Sequence, residues 1–168
     1  MNTTSRIQLT LFINEAASAA IEQVRRVYNP VQYSIIKSHV TLCREDELSE
    51  RAKVINALEG LNQKPITMRI GCPERYAKGK GLLLPVEDDA HEFLGLRKKV
   101  LQNVTGNTRM HHAHITLIHP RNGACTDEIF EMVSQLRFPD LLTFGKISLI
   151  EQVGAGEWRI LRSFLLTG

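Results

Sequence analysis

Cysteine is scarce in this sequence, with three residues in a chain of 168. The number is odd and no two cysteines form a Cys-x-x-Cys pair, which argues against a disulfide framework and against a thiolate zinc site. A reducing cytoplasm is therefore the expected compartment. Cys43 stands beside a histidine-bearing segment and is an alternative nucleophile. We favour a structural role for it, because buried cysteine behaves as a small hydrophobic residue.

Long hydrophobic runs are also missing. The longest, such as residues 82–84, fall far short of the ~18 residues that a membrane-spanning helix needs. Residues 1–7 contain no apolar core of a signal peptide. We therefore expect neither a membrane protein nor a secreted one, and no membrane partner.

The sequence also lacks a strong charge bias and contains few aromatic residues. Lys and Arg number 21 against 18 Asp and Glu, and aromatic residues make up 6% of the chain. Such a mild positive charge does not indicate a nucleic-acid coat, but it does not oppose a ligand that carries phosphate. No stacking motif of the RRM type is visible. We expect Tyr28, Tyr33, Tyr76 and Trp158 in the core or at a rim, where one of them could stack on a nucleobase.

The patterning that is present predicts a single α+β domain over residues 1–168. Alternating apolar residues and turn signals predict strands over residues 6–13, 34–42, 66–70, 82–84, 113–118, 143–150 and 158–166. Helical spacing and capping signals predict helices over residues 14–28, 48–58, 90–102 and 126–136. The second half repeats the first in outline, which predicts an approximate duplication. Short turns between strands favour antiparallel pairing.

Two tetrapeptides occupy comparable places in the two halves. HVTL covers residues 39–42 and HITL covers residues 114–117, so the two histidines are 75 residues apart. Because side chains alternate along a strand, His39 and Thr41 share one face, as do His114 and Thr116. If the halves pack about a local two-fold axis, two imidazoles and two hydroxyls converge on one cleft.

That set of side chains suits phosphodiester chemistry without a divalent ion. Imidazole has an ordinary pKa near ~6.5, so one ring can accept a proton while the other donates one. Each such transfer contributes about 10² to 10⁴ in rate. The threonine hydroxyls can donate to the non-bridging oxygens, where charge builds in the transition state.

The paired H-x-T-L segments resemble those of the 2H phosphoesterase superfamily, which includes bacterial 2′-5′ RNA ligase-like proteins and 2′,3′-cyclic phosphodiesterases. Residues 8–13, 144–149, 156–161 and 164–166 are also similar to the family. The resemblance implies a two-lobed α+β fold with pseudo-two-fold symmetry. Antiparallel sheets would form a central groove lined by the histidines, with helices on the outside.

The resemblance also implies roles for four residues. His39 and His114 match the catalytic histidines, and Thr41 and Thr116 match the threonines that hold the phosphate. The leading expectation is hydrolysis of 2′,3′-cyclic phosphates to 2′-phosphates, with His114 as base and His39 as acid. The expected partner is an RNA end or a small cyclic-nucleotide phosphodiester, with no cofactor. Reversible 2′-5′ ligation or cleavage, and a non-catalytic module that binds RNA ends, are the alternatives. The sequence does not predict an oligomeric state.

One departure from the family concerns the third phosphate ligand. Bacterial ligase-like members often carry an arginine five residues after the second histidine, where this sequence has His119. Arg121 lies two residues further on, and Arg44 occupies the equivalent place after the first motif. Any of the three could neutralise the phosphate. Strand alternation places an odd offset on the opposite face, however, unless the strand has ended or bulged.

The histidines between residues 111 and 119 are open to a rival interpretation. His111, His112, His114 and His119 lie close in sequence, and a zinc or iron site is the alternative function for them. No carboxylate lies among them and no H-E-x-x-H motif occurs. We therefore predict no metal site, and expect His111 and His112 to be groove-rim or solvated residues, with His112 a candidate substrate contact. His91 is expected on the surface.

A nucleotide-triphosphate site is not indicated. Residues 78–81 read KGKG, but they lack the spacing of a phosphate loop and precede a strand rather than a helix. The K-x-D-G motif of ATP-dependent ligases is also missing. Any ligase activity would have to reverse phosphodiester cleavage, without ATP.

Overall fold

The computed structural model describes residues 3–87, 90–104 and 110–168. The strands are β1 (Ser5–Phe12), β2 (His39–Cys43), β3 (Ile66–Arg69), β4 (Glu74–Tyr76), β5 (Gly81–Pro85), β6 (His114–Ile118), β7 (Leu141–Phe144), β8 (Lys146–Val153) and β9 (Trp158–Leu165). The helices are α1 (Glu15–Tyr28), α2 (Pro30–Ile35), α3 (Arg51–Glu59), α4 (His91–Leu101) and α5 (Asp127–Ser134), with a 3₁₀ turn at Glu45–Glu47.

The predicted α+β fold is confirmed. Seven strands form one sheet in the order β4-β5-β6-β2-β1-β8-β9, and β3 and β7 form a second sheet of two strands. Neighbouring strands in both sheets run antiparallel, as expected. Helix α1 contacts β6, and helix α4 contacts β2. Val40 and Ile115 of the strands and Phe93 of α4 are fully buried in the core.

The two halves repeat each other in strand register. β1 pairs with β2, and β5 pairs with β6, on opposite sides of the β2–β6 junction. Both pairs contain a register shift at the same motif position: the ladder jumps past Leu42 in the first half and past Leu117 in the second. A β-bulge is a specific feature of a strand pair rather than a general one. The predicted duplication therefore extends to an irregularity of the backbone.

The strand predicted over residues 34–42 is wrong in its first half. Residues 30–35 form α2, and β2 begins only at His39. Pro30 occupies the first turn of that helix, where its missing N–H and fixed φ are tolerated. Asn29 both ends α1 and precedes α2. The Asn-Pro pair that ends α1 therefore also starts the next helix.

The strand predicted over residues 143–150 is two strands in two sheets. β7 ends at Phe144 and pairs with β3, whereas β8 begins at Lys146 and pairs with β1 and β9. The break falls at Gly145. β4 was not predicted, because its three residues, Glu74–Tyr76, show no apolar alternation.

Within the described ranges, none of the helices combines the length and the hydropathy that crossing a membrane requires.

Cys43 is fully buried, and burial raises the pKa of its thiol to about 12. At neutral pH this thiol is protonated, which agrees with a structural role and not with a nucleophile.

Candidate active site

The centre of the large sheet brings the two motifs together. Val40 of β2 is paired with Ile115 of β6 in antiparallel register. Extending this register by one residue in each direction sets His39 opposite Thr116 and His114 opposite Thr41. Val40 and Ile115 are fully buried, so the histidines and threonines occupy the other face of the strands. Each imidazole thus lies across the junction from the hydroxyl of the other half.

A cavity of about 590 Å³ covers this face of the junction. Its size lies within the usual range for small-ligand sites. All eight site residues predicted from the sequence line it: His39, Thr41, Arg44, His112, His114, Thr116, His119 and Arg121. The structure therefore brings the predicted set to one place.

The two candidate catalytic rings are held in the same way. Nδ1 of His39 lies 2.7 Å from the carbonyl oxygen of Lys37, and Nδ1 of His114 lies 2.8 Å from the carbonyl oxygen of His112. A carbonyl only accepts hydrogen bonds, so each Nδ1 carries the proton. In the neutral tautomer Nε2 then has a lone pair, and in the charged form it has a proton to give. In both rings, Nε2 is therefore the nitrogen available for proton transfer.

The surroundings of His39 keep its ring neutral. Desolvation in the protein lowers the pKa of His39 to about 4, and the positive charges of Arg25 and His114 act in the same direction. The hydrogen bond to the Lys37 carbonyl and the charge of Glu22 oppose the shift without cancelling it. At pH 7 His39 is a neutral imidazole, which can accept a proton.

Each threonine hydroxyl has its own partner in the cavity. Nε2 of Gln8 lies 2.7 Å from Oγ1 of Thr10 and 3.1 Å from Oγ1 of Thr41, and it donates to both. Since Thr41 accepts from Gln8, its own proton is available for another acceptor. In the second half, Thr116 contacts the phenol of Tyr76. Burial raises the pKa of that phenol and the contact with Thr116 partly opposes the rise.

The bulges explain how residues at an odd offset reach the cavity. Leu42 and Cys43 are both fully buried although they are consecutive, and Leu117 and Ile118 repeat this in β6. The register shifts break the alternation there, and both strands then end. Arg44 and His119 follow directly and line the cavity. Arg44 and His119 thus reach the cavity because each strand bulges and then ends, which is the condition that we set for residues at an odd offset.

No protein-family model matches the sequence. A protein of Shouchella clausii (strain KSM-K16), provisionally named a phosphoesterase, is 25% identical over 151 residues, which are 86% of this chain and 88% of that protein. E. coli LigT in its apo form superimposes with a TM-score of 0.69 at 17% identity, over 99% of this chain and 100% of LigT. This chain has the LigT fold.

Two further structures support that assignment. LigT complexed with 3′-AMP gives a TM-score of 0.69 at 15% identity over 98% of this chain and 99% of LigT. A protein of Thermus thermophilus gives 0.62 at 16% identity over 97% of this chain and 98% of that one. The fold that the motif resemblance implied is therefore confirmed.

The cavity also contains His111, which we expected at the groove rim or in solvent. Nε2 of His111 lies 2.9 Å from the Thr41 carbonyl, to which it donates. Its ring stacks on Phe93 at 5.9 Å and lies 6.3 Å from the ring of His114. Desolvation, with the charge of Arg97, lowers its pKa to about 4. His111 is half-buried and ties β6 to β2, whereas His112 is exposed.

A buried arginine beside the first motif was not predicted. Arg25 is 1% exposed and lines the cavity wall. It forms an ion pair with Glu22 at 2.7 Å and donates to the Ile36 carbonyl at 2.8 Å, while Glu22 accepts from the Ser38 N–H. This pair fixes the backbone just before His39. Burial lowers the pKa of Arg25.

Other residues that line the cavity were not predicted either, although two of them follow a pattern that is visible in the sequence. Arg6 and Gln8, which line the cavity, alternate with apolar residues along β1, so a polar face was visible in the sequence. Nothing in the periodicity of α1 distinguished Arg25 from a surface arginine.

The alternative of a zinc or iron site among the histidines lacks a cluster of ligands in the described part of the chain. Within residues 3–87, 90–104 and 110–168, no three His, Cys, Asp or Glu side chains are grouped as metal ligands would be. His111 donates to the Thr41 carbonyl, and Nδ1 of His119 accepts from the Arg121 N–H at 3.1 Å. Burial, together with the Arg121 charge, lowers the pKa of His119. Both rings are thus held by protein partners.

Proposed function

We propose that this protein is a phosphodiesterase that hydrolyses the 2′,3′-cyclic phosphate of a nucleotide or an RNA end to a 2′-phosphate, using two histidines and no cofactor. The observation that carries the proposal is the register of Val40 and Ile115, which sets each histidine opposite the threonine of the other half. The fold, shared with LigT, and the provisional phosphoesterase name of the S. clausii relative support the same class of reaction.

The proposed histidine roles rest on the protonation state of His39. His39 is neutral at pH 7 because its pKa is lowered to about 4. In the proposed reaction its Nε2 takes a proton from water, whose oxygen forms a bond to phosphorus. The bond from phosphorus to O3′ breaks, and Nε2 of His114 gives its proton to O3′. This assignment reverses the roles favoured from the sequence, where the symmetry of the motifs offered no means of choosing.

The remaining cavity residues bind the phosphate in this proposal. The hydroxyls of Thr41 and Thr116 donate to its non-bridging oxygens, where negative charge increases in the transition state. Arg44 and Arg121 line the same cavity and supply positive charge. Hydrogen bonds to charged groups are roughly twice as strong as neutral ones, so these contacts favour the transition state. His112 and His119 are the further candidate contacts.

The test is turnover of 2′,3′-cyclic mononucleotides and of 2′-5′-linked oligonucleotides in the presence of EDTA, with the product identified by phosphorus NMR. We expect a 2′-phosphate. His39→Ala and His114→Ala should each lower kcat by roughly 10² to 10⁴. His91→Ala, in α4 and outside the cavity lining, is the matched control and should behave as the wild type.

Three results would contradict the proposal. Loss of activity in EDTA would indicate a metal-dependent reaction, and activity that survives both histidine substitutions would remove the acid–base pair. Tight binding of phosphorylated RNA ends without turnover would favour the binding module.

Because the three cysteines are unpaired, we place the activity in the reducing cytoplasm.

A further inference from the structure

A second cavity of about 670 Å³ adjoins the first. It lies between α1, residues 33–37 and the start of β9. Ile35, Ile36 and Trp158 line both cavities, so the two share a wall. Lys37, whose carbonyl holds His39, also lines the second cavity. A ligand with its phosphate at His39 could therefore extend across Trp158 into the second space.

The two cavities carry opposite charges. The described lining of the first contains four arginines, at positions 6, 25, 44 and 121, and no carboxylate. The lining of the second contains Glu15, Glu22 and Glu157 with Lys37 as its cation. A phosphate is attracted to the first and repelled by the second. The occupant of the second cavity must therefore be uncharged and able to donate hydrogen bonds, while remaining attached to a phosphate.

Trp158 supplies an apolar wall for a flat group. The guanidinium of Arg6 lies 5.5 Å from the centre of the indole. Arg6 belongs to the lining of the first cavity alone, whereas the indole also reaches the second. Stacking on an aromatic side chain suits any base, because every base has a π-face.

We propose that the second cavity binds the nucleobase of the substrate, stacked on Trp158, and that its carboxylates select guanine. Glu22 is engaged by Arg25 and by the Ser38 N–H, so Glu157 and Glu15 are the acceptors for the base. Guanine presents two adjacent donors, N1–H and the 2-amino group, which match a carboxylate. Uracil presents a single N–H between two carbonyl oxygens, and these oxygens repel a carboxylate. The inference rests on the proposed function, since it assigns the base of that same substrate.

The test compares kcat/KM for guanosine and uridine 2′,3′-cyclic phosphates. We expect the wild type to favour guanosine by at least tenfold, and Glu157→Gln to reduce that ratio several-fold. Glu131→Gln, on the exposed surface of α5, is the matched control. Trp158→Ala should raise KM for both substrates by roughly 5- to 150-fold, which is the worth of a stacked base, and Trp158→Phe should restore most of the loss.

The outcomes separate the two proposals. Equal turnover of both substrates, or a Glu157→Gln variant with the wild-type ratio, would overturn the base site while leaving the phosphodiesterase intact. A variant that had merely lost structure would slow both substrates equally and keep the ratio. If neither substrate turns over, the proposed function fails. Calorimetric titration with guanosine and uridine 2′-monophosphates then decides the base site, with tighter binding of the guanosine compound expected and equal affinities contradicting it.

Discussion

Val40 and Ile115 occupy the same position in their two motifs and face each other across the junction of β2 and β6. A pairing of equivalent positions is what a two-fold axis through that point requires. The hydrogen bonds of the histidine rings and the two bulges obey the same symmetry. The contacts of the two threonines do not obey it, because Gln8 donates a hydrogen bond to Thr41 whereas Tyr76 contacts Thr116. The symmetry is therefore kept in the strand register and in the contacts of the histidine rings, and lost in the groups that contact the threonine hydroxyls.

The contact between Gln8 and Thr41 provides the first prediction. Thr41→Val removes a donor to the developing charge and should lower kcat by roughly 10²-fold. Gln8→Leu removes only the bond that orients the hydroxyl, and should cost roughly 2- to 10-fold, in line with ~0.5–1.5 kcal/mol for such a bond. In the Thr41→Val background, Gln8→Leu should have little further effect on kcat. An additive loss in that double variant would show that Gln8 acts by another route.

The second prediction concerns stability against pH. The pKa values of His39 and His111 are about 4 in the folded protein, against an ordinary value near ~6.5. Between these values the unfolded chain binds protons that the folded protein does not. The free energy of unfolding should therefore fall as the pH is lowered from ~6.5 to ~4, by at most about 1.4 kcal/mol per pH unit for each histidine.

Urea unfolding at several pH values measures that dependence. His39→Gln and His111→Gln should each make the stability less sensitive to acid in this range, because neither variant has the ring that the unfolded chain protonates. A slope that both variants leave unchanged would show that these rings titrate normally in the folded protein.

The third prediction concerns the buried ion pair that supports the end of the first motif. The side chains of Arg97 and Glu47 are 5% and 4% exposed. Arg97 also donates to the Leu42 carbonyl, and Glu47 accepts from the Arg44 N–H. Although burial opposes ionisation, the hydrogen bonds from Arg97 and from the Arg44 N–H lower the pKa of Glu47. Arg97→Leu leaves a buried carboxylate unpaired and should lower the free energy of unfolding by about 3–5 kcal/mol.

Chemical denaturation provides the measurement for this pair. The double variant Arg97→Leu with Glu47→Leu should recover most of the loss, because it removes both charges. The exposed pair of Arg162 and Glu59 is the control, and Arg162→Leu should change the stability by less than about 1 kcal/mol. A double variant as unstable as Arg97→Leu alone would contradict the account.

The central part of this fold could be predicted because its information is local. Alternation along residues 39–42 and 114–117 determines which side chains share a face, and the spacing of the motifs indicates the duplication. His39, Thr41, His114 and Thr116 accordingly lie on one cavity. Arg44 and His119 were named with a condition attached, because a bulge depends on the pairing of two strands and has no sign in either strand alone.

What could not be predicted depends on tertiary contacts. Gly145 separates two strands of similar composition, and only their partners show that they belong to different sheets. Arg25 resembles any helical arginine until the backbone of residues 36–38 packs over it. The pKa of His39 depends on that packing too. The protonation state of His39, on which the proposed choice between base and acid rests, was therefore out of reach of the sequence.

The most direct test is a crystal structure of the protein with a nucleoside 2′-monophosphate, the product of the proposed reaction. The account predicts one phosphate at the β2–β6 junction, within hydrogen-bond distance of Nε2 of both His39 and His114 and of the hydroxyls of Thr41 and Thr116. A phosphate that contacts only one of the two histidines, or that binds outside this cavity while the protein remains active, would contradict it.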